Sequence, residues 1–386
     1  MKRNRLAWLA AIAAVALGIV VAGCGSASKT ASTSSTVAGT SSASGSPAKS
    51  TPPKAVTGDT ANPAGPTSSD SLVCSVADVY AVGDTVYAAN VGGSIGSGIG
   101  AGLGISTDGG TTFTNRTMAD GLGDNDVSGV YAAGDTVYAA TQGGLSISTD
   151  GGKTFTNHSF ADGLGANGVE KVYAVGDTVY AATFGGGLGI STNGGTTFTT
   201  ADGLRDDTTV YGVYVRGVYA VGDTVYAATT FDGLGISTDG GDTFTRRTTA
   251  DGLGTNDVNA VYAVGKTVYA ATDRGGLGIS TDGGKTFTTR TTADGLGSNY
   301  VYSVYTVGET VYAGTDGGLS ISTDGGATFT NRTTADGLGE GGVSGVYAVG
   351  DTVYAASKGV SISTDGGATF TNHSVAQCPD PAPHHH

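Results

Sequence analysis

At 386 residues the chain has the length of two or three average domains, or of one large repeat domain. Its 68 glycines show no Gly-x-y period, which excludes a collagen-like rod, and 38% apolar residues with 18 tyrosines exclude a chain too polar to fold. A formal net charge of −14 argues against nucleic acid and anionic membrane surfaces as electrostatic partners.

Lys2, Arg3 and Arg5 precede an apolar run from Leu6 to Val21, the layout of a secretory signal. Residues 1–23 are assigned to that signal. The run ends in Val21-Ala22-Gly23-Cys24, which resembles the lipobox of bacterial lipoproteins. The resemblance implies cleavage before Cys24 and a diacylglyceryl group on its thiol. The mature protein would then be an extracytoplasmic component of a bacterial cell envelope, held to the membrane by acyl chains, each buried methylene contributing about 0.8 kcal/mol. Residues 24–71 are Ser, Thr, Ala, Gly and Pro with almost no large apolar side chain. Such a segment cannot form a core and is expected to be a disordered tether with a reach of roughly 35–40 Å.

From residue 72 to 378 the chain repeats. Ser106-Thr107-Asp108-Gly109-Gly110-Thr111-Thr112-Phe113 recurs with Asp150, Asn193, Asp239, Asp282, Asp324 and Asp365 at the third position. The Ile before each copy returns every 41 to 46 residues, a period that signals propeller blades of four strands. Residues 258–290 show the unit: four runs of 4–7 β-branched or aromatic residues, bounded by Gly or Asp. No run has a helical period. The expected fold is all-β, a seven-bladed β-propeller of four-stranded antiparallel blades, strands A to D running outward from the axis. In each box Gly-Gly permits a tight turn, and the Asp carboxylate accepts bonds from turn amides. Asn193 keeps the oxygen and drops the charge, so the role expected of all seven positions is structural.

Ser-x-Asp-x-Gly-x-Thr-Phe resembles the Asp-box, or bacterial neuraminidase, repeat of sialidases, sortilin-type receptors and related propellers. Thr291-Thr292-Ala293-Asp294-Gly295-Leu296 and Val311-Tyr312-Ala313-Gly314-Thr315 also resemble the propeller repeats of two-component sensors, with Tyr in place of Trp. The resemblance spans residues 75–375. It implies the fold, but the superfamily is functionally mixed. Some members, related to a photosystem assembly factor, bind partner proteins; others are glycosidases.

All seven units run A to D, so no strand is shared between the first and last blades, and another device must close the ring. By repeat register, Cys74 and Cys378 fall on the loop that would join blade 7 to blade 1. A Cys74–Cys378 disulfide would replace that loop; two free thiols or an intermolecular bond are the alternatives. Residues 379–386, ending in three histidines, are expected to be a disordered tail.

Loops between D and A and between B and C share one face, the top, and the boxes lie on the other. The repeat is broken most at blades 3 and 4, where Arg205, Asp206, Asp207, Tyr211, Tyr214 and Arg216 occupy a connection about six residues longer than in blade 5. The neighbouring B-to-C loops carry Phe184 and Phe231, the latter beside Asp232. These nine residues are the candidate ligand-binding set, since aromatics flanked by charge can stack on sugars or hold a peptide. A cation recurs three residues after the box Phe (Arg116, His158, Arg247, Arg290, Arg332, His373), and outer-strand position predicts solvated edge charges. Asp120, Asp124, Asn125 and Asp126 offer clustered oxygens but not an EF-hand pattern, and an ordinary polar turn is expected. No metal site and no cofactor are expected. A sialidase would need a converging arginine triad and a Tyr-Glu pair, whereas only Glu170, Glu309 and Glu340 are present. The expectation is a monomeric, non-enzymatic binding or scaffold module for a protein, peptide or glycan, with a glycoside hydrolase as the alternative.

Overall fold

The computed structural model describes residues 75–92, 100–201, 203–204 and 213–375, and structural statements below concern these. They form seven four-stranded sheets, each a meander of consecutive strands. Blade 1 begins at Ser75–Val82 and blade 7 ends at Thr371–His373. Blade 5 shows the pattern: A Val258–Val264, B Thr267–Thr272, C Gly276–Ser280 and D Thr288–Arg290, all antiparallel. The expected fold is the one observed. Cys24, Cys74, Cys378, Arg205, Asp206, Asp207 and Tyr211 lie outside the described residues, as do the signal, the tether and the tail.

Packing is periodic too. Seven hydrophobic clusters occupy the seven junctions between neighbouring sheets. At the 4/5 junction, Tyr226, Leu234 and Ile236 meet Leu253, Val258, Val268 and Phe287. Leu253 comes from the Asp-Gly-Leu loop, and each such buried leucine contributes about 2 kcal/mol. The loop itself is a single 3-10 turn with a capping box. In blade 5, Thr291 caps the turn, Asp294 accepts from the Thr291 amide at 2.9 Å, and Gly295 ends it at φ 95°. A side chain there would be strained at that φ and would also strike the Phe329 carbonyl of the next blade. The Asp294 carbonyl then accepts from the Phe329 amide at 2.9 Å, so the loop of one blade is bonded to the box of the next.

The boxes form as expected. Asp282 accepts from Ser280 Oγ at 2.7 Å and from the Thr286 amide and hydroxyl at 3.0 and 2.7 Å. These bonds hold its carboxyl well below the usual carboxylate range. Asn193 reproduces the set, accepting from the Thr197 amide at 3.1 Å while its Nδ2 donates to Thr197 Oγ1 at 2.9 Å. The amide of the first box Gly donates to the A-to-B turn in every blade, as Gly240 does to the Asp223 carbonyl at 2.9 Å, which puts boxes and A-to-B turns on one face.

The recurrent cations differ from expectation. Four of them are clamps rather than solvated edge charges. Arg116, Arg247, Arg290 and Arg332 each donate Nε to the carbonyl of the second box Gly in the next blade (Gly152, Gly284, Gly326 and Gly367) at 2.8 to 3.0 Å. The side chain runs across the junction instead of away from it, because an orphan carbonyl there attracts a planar donor.

The first and last blades meet directly. Val76, Val79 and Val86 pack with Tyr354, Ala356 and Val360. Ser344 Oγ donates to the Val76 carbonyl at 2.6 Å. Val375 lies against Gly104, in the place that Leu253 takes against Gly278 in blade 5. Among the described residues, closure is therefore by packing and this hydrogen bond.

Candidate functional site at the mouth of the axial channel

Every A strand carries Val-Tyr at its centre, and the seven tyrosines meet. Tyr80, Tyr131, Tyr173, Tyr219, Tyr262, Tyr305 and Tyr347 form a closed heptagon with neighbouring centroids 4.5 to 5.0 Å apart. This collar surrounds the axis. Burial pushes the Tyr131 phenol up to about 12, and Tyr80, Tyr173, Tyr219, Tyr262 and Tyr305 rise for the same reason. These six phenols are neutral at any physiological pH.

Three residues before each collar tyrosine, the A strand is bulged in blades 1 to 6, with register shifts such as Val127/Gly129 and Val258/Ala260. A bulge re-aims the side chain of the extra residue. Here it turns that position onto the top mouth of the channel, where Ala77, Ser128, Glu170, Arg216, Asn259, Tyr302 and blade 7's Ser344 line one cavity of about 380 Å³. The tyrosine is the same in all seven blades, whereas this position holds six residue types in seven. Gln142, Lys171, Phe184 and Tyr214 also border this cavity.

Polar and aromatic side chains share the mouth. Lys171 spans blade 2 to reach Asp78 of blade 1 at 2.8 Å. It can do so because Gly129 intervenes, where a Cβ would come within 3.0 Å of Lys171 Cδ and 2.8 Å of the Glu170 carbonyl. Arg216 donates Nε to Thr230 Oγ1 at 2.8 Å and Nη1 to Asn259 Oδ1 at 3.1 Å. Tyr302 donates its hydroxyl to Asp316 at 3.3 Å and is pushed up to about 12, by burial first and then by Asp316. Burial pushes the Glu170 carboxyl upward, against the opposing pull of Arg216, Gln142 and Lys171. At the blade 3 corner Phe184 packs edge-on against Tyr214, centroids 4.5 Å apart and planes at 69°. Phe184 is still 58% exposed, so its face is available to a ligand.

Of the nine candidate residues, three converge here: Phe184, Tyr214 and Arg216. Two do not. Phe231, at φ 72°, is held by its amide to Asp257 at 2.7 Å, and Asp232 pairs with Arg246 at 3.4 Å, outside the mouth. The other four lie outside the described residues. Glu170, Lys171, Asn259 and Gln142 border the same cavity and stand outside the candidate set; for Glu170 and Asn259 the sequence signal is variation three places before an invariant Tyr, which is less conspicuous than loop irregularity. In the acidic turn, Asp120 and Asn125 accept from the Thr117 and Met118 amides, and Asp124 and Asp126 from the Asp126 and Gly92 amides. Those oxygens serve backbone.

Comparison with solved structures gives the same architecture. The extracellular domain of a hybrid two-component system protein from B. thetaiotaomicron aligns with TM-score 0.55 at 17% identity, covering 69% of this chain and 38% of that one. A structure of YCF48 bound to D1 peptide aligns at 0.54 and 14%, covering 74% and 91%. The GH74 enzyme of Niastella koreensis aligns at 0.58 and 18%, covering 77% and 53%. The chain thus spans about two fifths of the sensor-protein chain and about half of the enzyme. At these identities the likeness is one of fold. No family model matches the chain, and no curated protein matches it.

Proposed function

We propose that the propeller is a binding module that captures a polypeptide segment at the top mouth of its axial channel. The observation that carries this reading is the bulged position: one register point, presented by every blade to a common centre, is where the repeat diversifies. A scaffold-only propeller has no reason to vary so widely at a position that lines the mouth while keeping the collar tyrosine constant. The mouth offers an exposed aromatic face at Phe184 and Tyr214 and a graded set of donors and acceptors from Arg216 through Asn259 to Glu170. That mixture suits a peptide better than a uniformly charged ligand. A peptide bound to YCF48, a propeller of similar fold, supports the same use of the architecture.

The likeness of the repeat to the Asp-box and of the stretch ending at Cys24 to a lipobox supports reading the protein as a lipid-anchored component of the bacterial envelope, and on that reading it acts as a monomer. The mouth's chemistry supports a non-catalytic role. A glycosidase needs two available carboxyls flanking one bond. Glu170, with its raised pKa, could be the acid of such a pair, and this one observation favours the second reading. Asp78 is already committed to Lys171 and to the Val130 amide at 3.1 Å.

The test is a display library of peptides and a glycan array probed with the soluble domain, alongside a panel of fluorogenic glycosides. Peptide enrichment without glycoside turnover is the expected result. Turnover that disappears in Glu170→Gln would establish the hydrolase instead.

A further inference from the structure

The 3/4 junction lacks its clamp. In blade 5 the chain runs Phe287-Thr288-Thr289-Arg290-Thr291-Thr292-Ala293-Asp294, whereas blade 3 runs Phe198-Thr199-Thr200-Ala201-Asp202. The missing triplet is Arg-Thr-Thr, the clamp arginine and the two residues that start the 3-10 turn. Strand D of blade 3 is accordingly reduced to Thr199–Thr200.

The acceptor that the arginine would meet is still there. Gly241 is the second box Gly of blade 4, equivalent to Gly152, Gly284, Gly326 and Gly367, and among the described residues no side chain donates to its carbonyl. Beside it opens a cleft of about 730 Å³, bordered by Thr199, Thr200 and Ala201 on blade 3 and by Asp223, Gly241 and Asp242 on blade 4. Asp242 is the decisive residue. The corresponding box position is Thr111, Lys153, Thr196, Lys285, Ala327 or Ala368 in the other blades. The one carboxylate at this position thus sits at the one junction whose clamp position carries neither Arg nor His. Asp223, in the A-to-B turn, adds a second exposed carboxylate.

We propose that this cleft, on the face opposite the channel mouth, is a receptor for an arginine side chain of a partner polypeptide. The guanidinium takes the position that Arg247, Arg290 and Arg332 occupy at their own junctions, donating to the Gly241 carbonyl, with Asp242 and Asp223 supplying the compensating charge. The molecule carries four copies of the interaction it offers here. The acidic cleft also favours a cationic ligand over a neutral one before contact is made.

The probe is a labelled Gly-Arg-Gly amide, compared with the same peptide carrying citrulline, titrated by fluorescence polarisation against the soluble domain. Saturable binding of the arginine peptide is expected, with the citrulline peptide up to about fivefold weaker, the scale of one exposed ion pair. Asp242→Thr, which copies box 1, weakens the arginine peptide by a similar factor without unfolding the blade. Inserting Arg-Thr-Thr between Thr200 and Ala201 restores the internal clamp and abolishes binding. Equal affinity for arginine and citrulline, or an unchanged affinity in Asp242→Thr, overturns the proposal. Binding that emerges only in Arg205→Ala overturns it as well, because the cleft would then belong to this chain's own Arg205. The readout is independent of the channel mouth, since Phe184→Ala leaves it unaltered.

Discussion

The box aspartates show how one side chain can be both exposed and structural. Asp108, Asp150, Asp282, Asp324 and Asp365 are held below the carboxylate range, and Asp239 is lowered to about 2, chiefly by hydrogen bonds from the box Ser and Thr. A depressed folded-state pKa stabilises the native state above the unfolded value of about 3.9 and is lost as pH falls through the folded one. The melting temperature should therefore drop steadily below about pH 4, as six boxes are protonated. Blade 3 already has the uncharged solution in Asn193. Asp282→Asn should accordingly flatten the acid limb of the Tm-versus-pH curve and cost little at pH 7, while Asp282→Ala lowers Tm at both. An acid limb unchanged from the wild type in Asp282→Asn would show that the carboxylate is not a source of the pH dependence.

At the scale of the element, the strand pattern was legible because each strand's period-two alternation and its Gly-Asp boundaries are local. Val258–Val264 and its neighbours could be drawn from the sequence to within a residue or so. The bulge could not. It adds no turn residue and breaks no alternation that the eye can see, yet it decides that Glu170, Arg216, Asn259 and Tyr302 face one cavity. The clamps were illegible for a related reason: an outer-strand arginine reads as solvated until the orphan carbonyl across the junction is known. Arg290→Ala should lower stability by about 1–3 kcal/mol in urea unfolding, since it leaves the Gly326 carbonyl unpaired. Arg290→Lys should recover only part of that, because an ammonium lacks the planar Nε–H. Full recovery with Lys would reduce the clamp to simple charge.

For the whole molecule, the number of blades and their order followed from the repeat, and so did the absence of a shared strand. Closure was only half legible. Sequence register pointed to Cys74 and Cys378, while the described residues show blade 1 held to blade 7 by the Val76–Tyr354 cluster, by Tyr80 against Tyr347 at 4.5 Å, and by Val375 on Gly104. In the sequence Cys74 directly precedes the first strand and Cys378 follows Val375 by three residues, and both lie outside the described residues. A disulfide there would add a few kcal/mol by closing a very long loop. Intact mass after alkylation under non-reducing conditions should show no free thiol in the soluble domain, and two would refute the bond. Sidedness is the other property of the whole ring. One face carries diversified channel-mouth positions and the other carries boxes, acidic turns and the unclamped cleft. Of the candidate set drawn from irregular loops, Phe184, Tyr214 and Arg216 line the mouth while Phe231 and Asp232 point elsewhere, because loop irregularity alone does not show which way a side chain points.

The central claim is that ligands engage the channel mouth. Its most direct measurement is the dissociation constant of a library-selected peptide for the wild type, for Phe184→Ala/Tyr214→Ala and for Phe231→Ala. The double variant should bind at least about tenfold more weakly, as loss of a central aromatic anchor does, while Phe231→Ala binds like the wild type. Equal affinity for all three proteins, or loss in Phe231→Ala alone, would contradict the account.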